Sequence, residues 1–183
     1  MSEELLIQQC SPTLAGLKTA NLFSCSYTDE TELKECIRCW NKRFVKKGLR
    51  IIPVRFQNGR ALIYVYRPSK LDKDLQHDIA ERLLTERGYC MKTSEHCIFQ
   101  LINRLYESEE FPHEIGLFLG YPPEEVDAFI VNRSENCKCI GCWRVYGDVE
   151  ASQKMFKKFK KYTSVYLDQF KKGRTVDKLT VAG

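Results

Sequence analysis

Three cysteines fall within six residues, at Cys137, Cys139 and Cys142, and the last two form a Cys-x-x-Cys pair around Ile140 and Gly141. Thiols at that spacing can hold a soft metal ion or exchange as a redox couple, because two sulfurs two residues apart can meet one partner. A closed tetrahedral site needs four ligands. The run supplies three, so Cys10, Cys25, Cys36 or Cys39 would have to bring the fourth. The candidate metal set is therefore Cys137, Cys139 and Cys142 with Cys10, and the ions expected of it are zinc or iron. The competing reading makes Cys142 the start of a buried strand and leaves Cys137 and Cys139 in a loop. The absence of a matching second pair favours that plainer reading. Cys36 and Cys39 do not make such a pair: at about 100° per residue, Cys36 flanks an apolar helix stripe while Cys39 points nearly away from it.

Nucleophilic chemistry is the second possibility. A cysteine needs a base to become a thiolate, and the chain holds only three histidines, His77, His96 and His113. His113 stands at an expected helix start beside Glu114, where the helix dipole favours a neutral imidazole. That makes Cys10 or Cys142 with His113 the candidate catalytic pair. A polar residue satisfying its own helix start explains His113 equally simply. A third candidate surface is cationic. Lys157, Lys158, Lys160 and Lys161 lie on the arc opposite Met155, Phe156, Phe159, Tyr162, Tyr166 and Phe170, so a core-packing helix would present them to an acidic partner.

The elements that must position these residues are legible in outline. Residues 3–9 read as a helix, with Ser11-Pro12 opening a further turn through Lys18. A strand follows from Asn21 to Tyr27. Asp29 caps a helix whose stripe is Leu33, Ile37, Trp40 and Phe44, ended by Gly48. Residues 49–56 and 61–66 form a hairpin through Asn58-Gly59, and Pro53 predicts an edge position or a bulge. Helices are expected near 69–75, 77–87 and 94–107, the last capped by Ser94. Two more are expected at 112–119 and 122–132. Cys142–Tyr146 reads as a fourth strand, and Asp148 caps a long last helix to about Lys172.

The pair 112–119 and 122–132 has the apolar pattern of a helix-turn-helix. Its second helix opens Pro122-Pro123-Glu124-Glu125, which would repel phosphates, so nucleic acid is not the expected partner. Gly16-Leu17-Lys18-Thr19 lacks the glycines of a phosphate loop. The fold class expected is α+β: one domain over residues 1–183, with about four mostly antiparallel strands packed with six or seven helices.

Composition sets the compartment. The chain has 183 residues, 29 basic and 24 acidic, for a net charge of +5, and 43% hydrophobic residues, ordinary for a globular protein. MSEELLIQQC has no basic segment followed by an apolar one, and no apolar run nears the roughly 20 residues that span a bilayer. The expected location is cytoplasmic, where nine cysteines are more readily core residues, ligands or redox thiols than disulfides. Asn132-Arg133-Ser134 matches a glycosylation acceptor but has no meaning in that compartment.

The blocks SPTLAGLKTANLFS (Ser11–Ser24), KGLRIIPVRFQNGRALIYVYRP (Lys47–Pro68), FPHEIGLFLGYPPEEVDAFI (Phe111–Ile130) and CIGCWRVYGD (Cys139–Asp148) resemble an uncharacterised bacterial family of unknown function, typical of anaerobic Gram-positive bacteria, over nearly the whole chain. The resemblance implies a cytosolic protein whose genes neighbour flavodoxin and iron-handling functions, with an acidic protein such as a flavodoxin as partner. It assigns no catalytic residue. Cys10, His113, Glu114, Cys139, Cys142, Trp143, Tyr146 and Asp148 lie in its motifs. The function expected is that of an accessory or binding protein in redox or metal metabolism.

Overall fold

A computed structural model of the chain describes residues 1–183 except Glu109 and Ser134; the third residue of the acceptor pattern thus lies outside the described residues. The chain is α+β and divides into two compact units. The first comprises residues 1–69 and 159–183, the second residues 70–158.

In the first unit, α1 (Glu3–Leu14) begins at Ser2, whose hydroxyl accepts from the Leu5 N–H. Where Ser11-Pro12 predicts a new helix start, α1 instead runs through Pro12. The helix needs only two more residues after the proline, so the interruption falls in its last turn, and Ser11 donates its hydroxyl back to the Ile7 carbonyl. Strand β1 (Ala20–Ser26) leads to α2 (Glu30–Phe44), capped by Asp29 through the Thr31 and Glu32 N–H groups. The stripe Leu33, Ile37, Trp40 and Phe44 is buried as its spacing predicts, and Gly48 ends the segment at φ +67°.

The hairpin β2 (Arg50–Gln57) and β3 (Arg60–Tyr66) turns through Asn58 and Gly59 at φ 51° and 71°, the left-handed pair that a two-residue hairpin loop requires. Strand order is β1-β3-β2, all antiparallel. β2 is therefore an edge, and its register shifts between Pro53 and Arg55, so Pro53 meets both conditions expected of it. Asn41 of α2 covers that edge: its amide donates to the Ile51 carbonyl at 2.7 Å and accepts the Ile51 N–H at 2.9 Å. Leu6, Ile7, Cys10, Leu14, Phe44, Leu49, Ile51, Ile63 and Val65 form the fully buried heart of this unit.

The second unit is built from α3 (Pro68–Leu75, its first two residues belonging to the other unit), α4 (Asp78–Glu86), α5 (Ser94–Glu107), α6 (Ile115–Phe118), α7 (Pro123–Asn132), a hairpin of β4 (Cys139–Ile140) and β5 (Arg144–Val145), and the first ten residues of α8 (Val149–Lys171). A short α9 (Val176–Leu179) belongs to the first unit. Three expected elements differ in the structure. The cap of α5 is Thr93, whose hydroxyl accepts from His96 N–H, rather than Ser94. The helix at 112–119 shrinks to four residues, because Gly116, Gly120 and two flanking prolines leave too little helix-forming sequence. The strand expected at 142–146 does not join the main sheet. It pairs with Cys139–Ile140 as a two-stranded hairpin, Cys139 opposite Val145 and Ile140 opposite Arg144. No helix among the described residues is long and apolar enough to cross a membrane.

Candidate functional site

The thiol run is carried by the β4–β5 hairpin. The Gly141 N–H donates to the Trp143 carbonyl at 2.9 Å and closes a tight turn. A side chain at Gly141 would place its Cβ 2.1 Å from the Phe156 ring, so glycine is the residue that lets α8 approach here. Cys142 lies exposed in this turn, while Cys137 and Cys139 are half-buried. The Cys137 Sγ accepts from Arg144 Nη1 at 3.8 Å. None of the nine cysteines is in a disulfide among the described residues, and no group of three or more histidine, cysteine or carboxylate side chains converges in a way that could hold a metal ion. Cys137, Cys139 and Cys142 belong to the second unit and Cys10 to the first.

Cys10 occupies a different environment. It belongs to the first unit's core and is wholly buried, and that burial pushes its thiol up, with only a partial offset from Lys18. A thiolate, the form that attacks or ligates, is disfavoured at such a position. Its proposed partner His113 belongs to the second unit, where its ring stands edge-on to Phe129 at 5.2 Å.

A feature that sequence reasoning missed stands around His113. A cavity of about 570 Å3 is lined by Phe111, Pro112, His113 and Ile115 from the segment before and within α6, by Tyr121, by Glu125, Val126 and Phe129 of α7, and by Trp143 and Arg144 at β5, with Glu110 and Arg133 completing its wall. Every lining residue lies in the second unit. The size falls in the range of small-molecule sites, which are largely apolar with a few placed polar groups.

The walls are set by three close contacts. Trp143 packs between the rings of Tyr121 (5.2 Å) and Phe156 (4.6 Å, edge-on). Gly116 lets α6 sit against α7, since a Cβ there would meet Val126 at 2.8 Å. Glu125 is the link between α7 and the hairpin. Though it is one of the acidic residues that argued against DNA, its side chain turns inward. Its carboxylate accepts the Tyr146 N–H at 2.6 Å and the Gly147 N–H at 3.2 Å, and the Gly147 Cα leaves room for that approach. Charge-assisted bonds of this kind are among the stronger ones in a protein interior.

The polar character of the lining is donor-rich. The Trp143 Nε1–H is buried and has no hydrogen-bond acceptor among the described residues. Burial, with a smaller contribution from the nearby Cys142 thiol, pushes the Tyr121 phenol up to about 12, so it keeps its proton at neutral pH. Arg133 holds φ +52° and ψ −113°, a conformation costly for a residue with a side chain, and its carbonyl accepts the Tyr146 hydroxyl. On α8, Lys157, Lys158, Lys160 and Lys161 are all exposed, and none forms an ion pair among the described residues.

Comparison with known proteins adds a family and nothing further. No curated protein and no solved structure matches the chain. Residues 6–180, nearly the whole length, match the family described as "Protein of unknown function (DUF3793)", and the chain belongs to that family.

Proposed function

We propose that the protein is a binding protein, whose second unit takes up a small, mostly apolar organic ligand in the cavity between α6, α7 and the β4–β5 hairpin. The observation that carries this is the cavity itself, with an unpartnered buried donor, Trp143 Nε1–H, in its wall. Folded proteins pair nearly all such groups, and an orphan in a cavity wall is a place for a ligand to complete. The chain has two tryptophans, Trp40 and Trp143, so a Trp40→Phe background leaves Trp143 as the only indole reporter. Screening a diverse fragment set against that protein should yield compounds that change Trp143 emission. Ile115→Phe, which narrows the cavity without adding an indole, should abolish the response. A set without hits, or hits indifferent to Ile115→Phe, would refute the reading.

The thiols favour a second layer to this reading. Cys137 touches Arg144, and Cys142 is close enough to Tyr121 to influence its ionisation; both neighbours line the cavity. This supports an accessory protein in redox or metal metabolism whose thiols border the ligand. Anaerobic purification with zinc or iron analysis tests the metal form, and alkylation rates at Cys139 and Cys142 test the redox form. Metal-free protein with inert thiols would remove both. Nucleophilic catalysis by Cys142 with His113 would instead appear as a covalent adduct with an electrophilic substrate analogue that His113→Ala prevents. The exposed lysine face supports docking of an acidic protein, and charge reversal at Lys157, Lys158, Lys160 and Lys161 should abolish it.

A further inference from the structure

We infer that the cavity's ligand is a planar organic anion, an aromatic or similarly flat body ending in a carboxylate. The inference rests on the reading of the cavity as a ligand site and adds the chemistry of the occupant. The body follows from the walls: Phe111, Tyr121, Phe129 and Trp143 offer ring faces and edges suited to a flat apolar group.

The charge follows from which polar groups are already engaged. Two carboxylates line the cavity. Glu125 is committed to the Tyr146 and Gly147 N–H groups through both oxygens, and Glu110 is exposed. Beside the exposed Glu110 and the His113 imidazole, what the lining offers an occupant is donors. Trp143 brings its orphaned indole N–H. The guanidiniums of Arg133 and Arg144 form no ion pair among the described residues; the Arg144 contact is with a thiol. Guanidinium is suited to carboxylate, which it can grip with two parallel bonds. An ammonium ligand would find aromatic faces and the exposed Glu110, but would also meet the half-buried Arg144 and the exposed Arg133, neither ion-paired among the described residues. A neutral amide would satisfy the indole and leave the guanidiniums without a counterion.

The test keeps the ring constant and changes the polar end. Calorimetric titration of the full chain with naphthalene-2-carboxylate, naphthalene-2-carboxamide and naphthalen-2-ylmethylammonium should show the carboxylate binding at least tenfold more tightly than the amide, and the ammonium weakest. Arg144→Gln and Arg133→Gly should each erase most of the carboxylate's advantage, weakening the amide several-fold less than the carboxylate. Trp143→Phe should weaken carboxylate and amide alike, because both present an oxygen to the lost N–H. Raising the salt concentration should shrink the carboxylate's advantage in the unaltered protein, a readout independent of how any variant folds. Equal binding of carboxylate and amide, or tighter binding of the ammonium, overturns the anion inference while leaving a ligand site standing. Binding of none of the three, with Trp143 emission also unchanged by the fragment set, overturns the site and the inference together.

Discussion

Arg67 in the first unit and Trp143 in the second are both large, buried donors beside chain turns, and the structure treats them in opposite ways. Arg67 is 1% exposed, yet each nitrogen of its guanidinium is used: Nε donates to the Thr13 carbonyl at 2.7 Å, Nη2 to Leu14 at 2.9 Å and Val181 at 2.7 Å, and Nη1 to Lys47 at 3.3 Å. Trp143 leaves its one donor with nothing to bind among the described residues. A cation without a carboxylate survives burial only where carbonyl dipoles surround it. A donor without an acceptor persists where the fold leaves space beside it. The first unit is thus sealed around its polar group, and the second is built around a gap. Under the proposed reading, that contrast gives the second unit the binding role.

The largest effect should come from breaking the seal. Arg67→Met removes four charge-assisted bonds at once; the Thr13, Leu14 and Lys47 carbonyls each keep a backbone N–H donor, so the loss should be about 2–4 kcal/mol in denaturant unfolding, with some relief from no longer burying a charge. Arg67→Lys should recover only part, because a point charge cannot spread over four carbonyls as a planar fork does. If Arg67→Met proved neutral, the distinction between the units would lose its basis.

In the second unit, Gly141→Ala forces a methyl group into the Phe156 ring and should cost about 1–3 kcal/mol. It should also change Trp143 emission, since the same ring packs on Trp143. Glu125→Gln keeps the shape but weakens the bonds to Tyr146 and Gly147. A loss of about 1–2 kcal/mol, read by thermal unfolding, is expected.

A smaller effect has a defined pH window. Tyr121 ionises near 12 in the folded chain and near 10 when unfolded, so between those values the unfolded state releases its proton first. Stability should be unaffected below about pH 10 and fall as pH rises toward 12. Tyr121→Phe should flatten that fall, and spectrophotometric titration should show one fewer late-ionising phenol. The smallest effect should be of the opposite sign. Arg133→Gly relieves a positive-φ backbone and should stabilise the chain by about 1 kcal/mol while weakening carboxylate binding, which would mark the strain as retained for the site.

Much of the scaffold could be read from local chemistry. The Asp29 cap, the stripe Leu33–Ile37–Trp40–Phe44 and the Asn58-Gly59 turn are each decided by neighbours within a few residues, and each stands where spacing put it. The misplaced elements failed for nonlocal reasons. A short strand carries no mark of its partner, so residues 142–146 could not declare a hairpin with Cys139–Ile140 over the main sheet. Pro12 could not show that its helix was already ending.

The site was legible only as a location. Phe111–Asp148 supplies all of the cavity wall but Glu110, yet attention fell on its sulfurs, because thiol spacing is visible in one dimension and an apolar cavity is not. Glu125 gave a false cue as a surface acid. The signal that could have found the cavity was the glycines at 116 and 141, each a point where backbone meets a side chain too closely for a Cβ, with Gly147 in tight contact with Glu125.

The carbonyls that Arg67 gathers lie 54, 53, 20 and 114 residues away in sequence. No local stretch of chain can assemble that set, so the guanidinium finds its partners only after α1, the turn before β2 and the residues following α9 have come together. Long-range contacts of this kind carry a high ordering cost and form late, on the native side of the folding barrier. Arg67 therefore acts as a latch rather than a nucleus. Its replacement should leave the refolding rate nearly unchanged and steepen the escape from the native state, so that the chain's lifetime, more than its speed of folding, depends on one side chain.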